Sequence, residues 1–225
     1  MNRTLTNFIV GAFALVLSVP NASAQQLFTT QAKNTLSYRI PSIVRYLGGK
    51  ADGQKGGLWA FADLRYKGGD IGNNNRIDII SRKLEIGSNT WGNPVIILHG
   101  NDNASGYNYA FGDAATVVDR ESGKILLMTA AGRNSVWVGT KGYPNVARSV
   151  YDPETGKWTT TEVTKAFYGE NNVYANHLFV SSGRMIQSTK YKKDKYYRIY
   201  AGICTVSTNG SRVAYSDDFG ETWHY

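Results

Sequence analysis

The segment Ser216–Trp223 reads SDDFGETW and fits the pattern Ser-x-Asp-x-Gly-x-Thr-Trp at every defined position. Such a sequence predicts a hairpin turn in which the Ser and Asp side chains bond to the local backbone. Gly220 is expected at a positive φ, and the tryptophan is expected to pack into the sheet beneath the turn. Asp218 is therefore assigned a structural role and no catalytic one.

Two earlier tryptophans follow Gly-containing turns in the same way. EIGSNTW ends at Trp91 and DPETGKW ends at Trp158, so 67 residues separate Trp91 from Trp158 and 65 separate Trp158 from Trp223. The earlier copies retain little of the pattern besides the turn and the tryptophan. A unit that recurs at this interval is typical of a repeating architecture.

Short runs rich in Val, Ile, Tyr and Trp, broken by Gly, Asn and Asp, fill the chain between these turns. No segment shows a sustained helical period, so the sequence predicts an all-β chain. The runs divide into about three blades of four strands in a β-propeller, and three blades cannot close a ring. They are Ser37–Tyr46, Leu58–Asp63, Ile77–Ser81, Val95–Leu98, Ala115–Asp119, Ile125–Thr129, Ser135–Val138, Ala147–Tyr151, His177–Val180, Met185–Thr189, Tyr197–Thr205 and Val213–Tyr215.

The N-terminus has the composition of a secretory signal peptide. Arg3 supplies the positive end, an apolar run extends from Phe8 to Val19, and ASA at residues 22–24 is a small-residue cleavage site. We expect residues 1–24 to be a signal peptide and residues 25–225 to be a propeller domain that is incomplete at its C-terminus. The product should be secreted or periplasmic, and no run reaches the ~20 apolar residues of a membrane span.

Charge and cysteine usage exclude several classes of protein. The net charge is +8, but Lys and Arg are dispersed apart from KYKKDK at Lys190–Lys195, which we interpret as a solvated hairpin tip. We therefore expect no nucleic-acid partner. Cys204 is the single cysteine, which excludes an intrachain disulfide, and its strand-like surroundings predict a buried small hydrophobe. The three histidines lack ligand spacing, so we expect no metal and no cofactor.

Three further segments contain residues suited to chemistry. YRIP places Arg39 two residues before Pro41. A guanidinium can bind a carboxylate with two parallel bonds, although a surface arginine paired with an acid is the simpler alternative.

ADLRY is followed by KGGDIG, which presents Asp70 five residues after Arg65. A loop carboxylate is a candidate general acid, the alternative being a turn that caps its own backbone. The third segment, GDAATVVD, begins at Gly112 and includes Asp113.

Together with SDDFGETW, which has the form of an Asp box or BNR repeat, these segments resemble the bacterial exo-α-sialidase (neuraminidase) family. The resemblance covers essentially all of the chain after residue 24. It implies a six-bladed β-propeller, of which this chain encodes about the first half. It also implies that Arg39 is one of three arginines that hold the substrate carboxylate, and that Arg65 is a second substrate-binding arginine. Asp70 corresponds to the acid/base aspartate, and Asp113 to a residue that lines the sugar pocket.

The implied activity is hydrolysis of terminal α-linked sialic acid from glycoproteins, glycolipids and oligosaccharides, with retention at the anomeric carbon. Retaining sialidases use a tyrosine nucleophile. In that family the tyrosine, its activating glutamate and the later arginines lie in later blades, so we expect them beyond Tyr225. Glu170 is better interpreted as a loop residue. Core or rim packing is the preferred interpretation of Trp137, Tyr174 and Asn176. The isolated chain is therefore expected to be inactive and to bind sialic acid weakly at best.

Two alternatives remain at this point. A non-catalytic Asp-box propeller that binds glycans or partner proteins would share the fold, but it has no reason to keep Arg39, Arg65 and Asp70 in this order. A propeller glycosidase for neutral glycans would use two carboxylates and would lose no binding in Arg39→Ala.

Overall fold

The computed structural model describes residues 25–29, 36–72, 75–134, 144–169, 178–205 and 210–225. The predicted signal peptide at residues 1–24 lies outside the described residues. The same holds for the predicted strand Ser135–Val138 and for Trp137, Glu170, Tyr174, Asn176 and His177.

The described residues form thirteen strands and one short α-helix, so the prediction of an all-β chain is confirmed. Among them, no helix has the length and apolar character needed to cross a membrane. The elements are β1 (Ser37–Tyr46), β2 (Gly57–Arg65), β3 (Ile77–Glu85), β4 (Val95–Leu98), β5 (Phe111–Val118), β6 (Ile125–Ala131), β7 (Asn145–Asp152), β8 (Lys157–Glu162), α1 (Thr164–Tyr168), β9 (Leu178–Val180), β10 (Gly183–Arg184), β11 (Ile186–Lys193), β12 (Tyr196–Thr205) and β13 (Gly210–Ser216).

These strands are arranged in three sheets. Sheet 1 has the order β1-β2-β3-β4, and sheet 2 has the order β10-β5-β6-β7-β8. Sheet 3 has the order β11-β12-β13, with β9 paired to another part of β12. Neighbouring strands within each sheet pair antiparallel, except that β10 pairs parallel to β5. The three sheets match the three predicted blades. The described residues form no closed ring, so the propeller and its six blades stay a prediction.

Sheet 2 lies between the other two sheets. Ile125 and Leu127 of β6 belong to the core shared with sheet 1, while Leu126 and Met128 belong to the core shared with sheet 3. All seven residues of β6 are buried. Successive side chains of a strand point to opposite faces, so a strand that is covered on both faces is apolar throughout. The sequence ILLMTAA is such a strand.

The three tryptophan turns occupy equivalent places in the three sheets. Trp91 follows β3, Trp158 follows β7 and Trp223 follows β13. Each of these strands is the third in a series of neighbouring antiparallel strands that starts at β1, β5 or β11. One repeat of the sequence therefore corresponds to one sheet. None of the predicted runs covered β8, because KWTTTE is polar and mostly exposed at the edge of sheet 2.

The SDDFGETW turn is held by its own side chains, as its sequence predicts. The Ser216 Oγ donates to Asp218 Oδ1 over 2.8 Å and accepts from the Gly220 N–H over 2.8 Å. The Thr222 N–H donates to Asp218 Oδ1 over 2.9 Å. Gly220 has a φ of 88°. These bonds agree with a structural role for Asp218.

The same turn packs sheet 3 onto sheet 2. A Cβ at Gly220 would lie 2.9 Å from Leu126 Cδ2, so a larger residue would have to displace the Leu126 side chain. Trp223 is 4% exposed, and its ring centroid lies 6.0 Å from that of Phe167 in α1.

Two smaller predictions have different outcomes. The hairpin tip predicted at Lys190–Lys195 is confirmed, since β11 ends at Lys193 and β12 begins at Tyr196. Cys204 does lie in a strand, β12, but it is half-buried rather than buried. Its Sγ lies 3.1 Å from the Ser181 Oγ.

We expect Trp223→Ala to lower the free energy of unfolding by about 3–5 kcal/mol, because it removes a large buried side chain from the core between sheets 2 and 3. Urea denaturation measures this change. The matched control is Trp91→Ala, which removes a half-buried tryptophan from an equivalent turn and should cost clearly less. Equal losses in the two variants would show that the SDDFGETW turn does not anchor sheet 3.

Candidate functional site

The four residues singled out in the sequence meet at one end of sheets 1 and 2. Arg39 lies near the start of β1, Arg65 is the last residue of β2, and Asp70 lies in the loop that leads to β3. The register of these strands puts the start of β1, the end of β2 and the start of β3 at the same end of sheet 1. Asp113 reaches this end from β5 of sheet 2, and its carboxylate lies 3.8 Å from the Arg65 guanidinium.

Two β-bulges aim residues of this group. The pairing of β1 with β2 shifts just after Arg39, where Ile40 has a φ of 54°. The pairing of β5 with β6 shifts around Asp113, which itself has a φ of 58°. A positive φ is uncommon outside glycine, especially for a β-branched residue, and it persists only where the surrounding structure holds it. Bulges redirect side chains and often occur beside functional sites.

Asp63 joins the two sheets beneath the site. Its Oδ2 accepts hydrogen bonds from Arg65 Nε over 3.1 Å and from Arg65 Nη2 over 2.7 Å. Its Oδ1 accepts from the Asp113 N–H over 3.0 Å. The side chain of Asp63 is fully buried. The sequence predicts Asp63 only as the end of the strand Leu58–Asp63. The position of Asp63 two residues before Arg65 could have indicated their contact, because it places both side chains on one face of β2.

Arg65 lies beneath the surface of the site. Its Nη1 donates to the Gly69 carbonyl over 3.2 Å and to the Asp70 carboxylate, and its side chain is only 1% exposed. The structure therefore shows Arg65 holding Asp70 and the loop. A ligand could reach the guanidinium only if Asp70 moved aside, so the predicted binding of substrate by Arg65 stays a prediction.

Arg39 and Asp70 form the exposed part of the site. The Arg39 Nη1 lies 3.2 Å from Asp70 Oδ1, and the two side chains are 48% and 44% exposed. Asp70 thus bridges an exposed arginine and a buried one. The side chain of Asn75, which no sequence pattern indicated, holds the loop that carries Asp70 by donating to the carbonyls of Gly69 and Asp70. It is 3% exposed.

The surroundings shift the acidity of the buried carboxyl groups. Burial raises the pKa of Asp63 to about 7, with a further contribution from the charge of Asp113 and against the opposing effect of Arg65. Burial also raises the pKa of Asp113, again against the effect of Arg65. Carboxyl groups perturbed in this way are frequent in functional sites.

The arrangement suits a ligand that carries a negative charge and hydroxyl or amide groups. Arg39 can bind a carboxylate with two charge-assisted hydrogen bonds. Asp70 and Asp113 can accept hydrogen bonds from neighbouring polar groups of the same ligand. Within the described part of the chain, no group of three or more His, Cys, Asp or Glu residues is placed to hold a metal ion.

We expect Arg65→Ala to lower the free energy of unfolding by about 3–5 kcal/mol, because it leaves the buried Asp63 carboxylate without its partner. Arg39→Ala removes an exposed ion pair and should cost less than about 1 kcal/mol. Chemical denaturation of the two variants beside the unchanged protein makes the comparison. Similar losses in both variants would contradict the buried position of Arg65.

The pKa of Asp63 predicts a pH dependence of stability. The folded protein keeps this proton up to a pH of about 7, whereas the ordinary value is 3.8, so the folded state binds more protons between these values. The free energy of unfolding should therefore fall as the pH rises from 4 to 7. Asp63→Asn removes the titrating group and should flatten this part of the profile. Thermal melts of both proteins across this range test the expectation, and parallel profiles would refute it.

Comparison with known proteins adds evidence on the fold. No protein-family model and no curated protein matches the chain. Solved structures do match. The NanB sialidase of Streptococcus pneumoniae aligns with a TM-score of 0.57 and 14% identity over 88% of this chain and 45% of its own. The intramolecular trans-sialidase of Ruminococcus gnavus aligns with a TM-score of 0.56 and 16% identity, over 84% of this chain and 60% of its own.

A third similar structure belongs to the GH130 family of mannoside phosphorylases, which contains glycoside hydrolases that target β-1,2 mannosidic linkages in Candida mannan. It aligns with a TM-score of 0.53 and 13% identity over 84% of this chain and 48% of its own. The chain therefore spans about half the length of these neighbours. At such low identity the likeness concerns the fold: this chain has a sialidase-like all-β fold of the kind found in glycoside hydrolases.

Proposed function

We propose that this chain carries the carboxylate-binding and acid/base residues of a retaining exo-α-sialidase, built on about half of a six-bladed propeller. The observation that carries the proposal is the contact of Arg39 with Asp70 at the exposed end of sheets 1 and 2. It supports the proposal because a guanidinium that could bind a carboxylate lies beside a carboxyl group that could transfer a proton. Sialylated glycans are the proposed ligands, and residues 1–24 are proposed to direct export.

Each residue of the site has a role in this proposal. Arg39 binds the carboxylate of sialic acid, and in doing so it releases the Asp70 side chain toward the glycosidic oxygen. Once it has left both arginines, Asp70 takes up a proton from solvent and donates it to that oxygen as the bond to the leaving group breaks; it later takes a proton from the attacking water. Asp113 and Arg65 bind substituents of the sugar ring, Arg65 once Asp70 has turned away from its Nη1.

The nucleophile is assigned to the part of the fold that this chain does not cover in its solved neighbours. Tyr66 is a tyrosine close to the site, and its hydroxyl donates to Asp78 Oδ2 over 2.7 Å. Burial, together with Asp78, raises the pKa of Tyr66, however. A nucleophilic tyrosine needs the opposite change, because its oxygen must lose the proton as it attacks. Tyr66 is therefore not the nucleophile in this proposal.

The main rival is a glycosidase for neutral glycans, and similarity to the GH130 structure is what favours it. The rival gives Arg39 no anion to bind. The exposed position of Arg39 leaves its guanidinium open to a ligand anion beside Asp70, which favours the sialidase.

Binding of N-acetylneuraminic acid, measured by NMR titration of the full chain, tests the proposal. Arg39→Ala should weaken binding about tenfold or more, because charge-assisted hydrogen bonds contribute about 1.5–3 kcal/mol. The matched control is Arg45→Ala, an exposed arginine on the same strand, paired with Leu58 toward the other end of β1. It should leave binding unchanged. Undiminished binding in Arg39→Ala, or preference for a neutral hexose, would favour the rival.

A further inference from the structure

A second pocket lies beside the site at the same end of the sheets. Its volume is about 420 Å³. The loop that carries Asp70 also forms part of this pocket, and the rest comes from the segments that flank β5 and β6 of sheet 2. The lining residues are Tyr66, Lys67, Arg76, Asp102, Tyr109 and Arg133.

Two arginines in this pocket are stacked on tyrosine rings. The guanidinium carbon of Arg76 lies 4.0 Å from the centre of the Tyr66 ring, and that of Arg133 lies 4.0 Å from the centre of the Tyr109 ring. Tyr109 is 2% exposed, and Tyr66 is held by Asp78. A guanidinium stacked by its face presents its N–H groups in one plane, which is the geometry that matches carboxylate and sulfate groups.

The stacked arginines are positioned by further contacts. Arg133 donates from Nε to the Ala104 carbonyl over 2.8 Å and from Nη2 to the Asp102 carbonyl over 3.0 Å. Arg76 Nη1 lies 3.2 Å from the Asp102 carboxylate, and its Nε lies 3.4 Å from that of Asp78. The positions of both side chains are thus held by the protein itself, which lowers the entropy cost of binding a ligand.

The lining carries an excess of positive charge. Three cationic groups, from Lys67, Arg76 and Arg133, stand against the Asp102 carboxylate of the lining and the Asp78 carboxylate beside Arg76, which leaves one positive charge in excess. Planar guanidinium groups and an ammonium group recognise carboxylate and sulfate groups. Lys67 is exposed, lies three residues before Asp70, and therefore links this pocket to the candidate site.

We propose that this pocket is a second subsite, which binds an anionic group on the glycan whose terminal sugar is held by Arg39. The group is a carboxylate or a sulfate ester on the next part of the glycan chain. This inference rests on the proposed function. It makes the protein selective for glycans that carry a second negative charge beyond the terminal acidic sugar.

The glycan test compares three ligands by NMR titration of the full chain. Sialyllactose has one negative group, disialyllactose adds a carboxylate, and sulfated sialyllactose adds a sulfate ester. We expect at least one of the doubly charged ligands to bind about tenfold more tightly than sialyllactose. The ligand whose affinity rises identifies whether the anionic group is a carboxylate or a sulfate ester. Equal affinity for all three would overturn the proposal.

Variants locate the effect. Lys67→Gln changes an exposed loop residue, and Arg76→Lys keeps the charge but loses the planar edge. Each should remove most of the gain for the doubly charged ligand. Lys190→Gln, a lysine at the exposed hairpin tip, is the matched control and should keep the gain. A gain that survives in both Lys67→Gln and Arg76→Lys would place the anionic group elsewhere and overturn the proposal.

Inorganic sulfate separates this proposal from the proposed function. Sulfate should shift the side-chain N–H signals of Arg76 and Arg133, and Lys67→Gln should reduce those shifts. If sulfate shifts these signals while no sialoside perturbs Arg39, the proposed function fails and an anion-binding pocket remains. If sulfate leaves both signals unchanged while N-acetylneuraminic acid binds at Arg39, the pocket fails and the proposed function remains.

Discussion

Asp63 lies fully buried between sheets 1 and 2 and accepts hydrogen bonds from the Arg65 guanidinium and from the main chain of Asp113. A carboxyl group taken out of water costs free energy in either protonation state unless hydrogen bonds satisfy it. This constraint fixes Arg65 in one place. Arg65 in turn holds Asp70, while the bond to the Asp113 main chain ties down the bulge of β5. The candidate site therefore depends on one buried carboxyl group that no ligand is proposed to touch.

One face of β2 contributes both to the packing of sheet 1 on sheet 2 and to the candidate site. Trp59 and Phe61 of β2 pack with Tyr151 and Trp158 of sheet 2, and Asp63 continues their face toward the end of the strand. The contact between the two sheets thus changes from aromatic to ionic along β2. An apolar interface holds the sheets together, and its ionic end supplies charged groups where the strands open to solvent.

Positive charge that is dispersed in the sequence becomes concentrated in the structure. Lys67, Arg76 and Arg133 are far from forming a basic run, yet they line one pocket because sheets 1 and 2 bring their loops together. The sequence contains no basic stripe, and its local composition could not predict this pocket. Charge clusters built from separate loops have no signature in local composition.

The sequence by itself determined the strands, the repeat and the four residues that resemble a sialidase site. Apolar alternation and turn residues are local signals, so β1 and β4 were predicted with the bounds that the structure has. The polar edge strand β8 was missed because its side chains are mostly exposed and only its pairing with β7 defines it. Only the tertiary structure decided that Arg65 is buried and Arg39 exposed, and that Asp63 and Asn75 support them. The physical reason is separation along the chain: Asp63 binds Asp113 across 50 positions, and such contacts exist only once the sheets have packed.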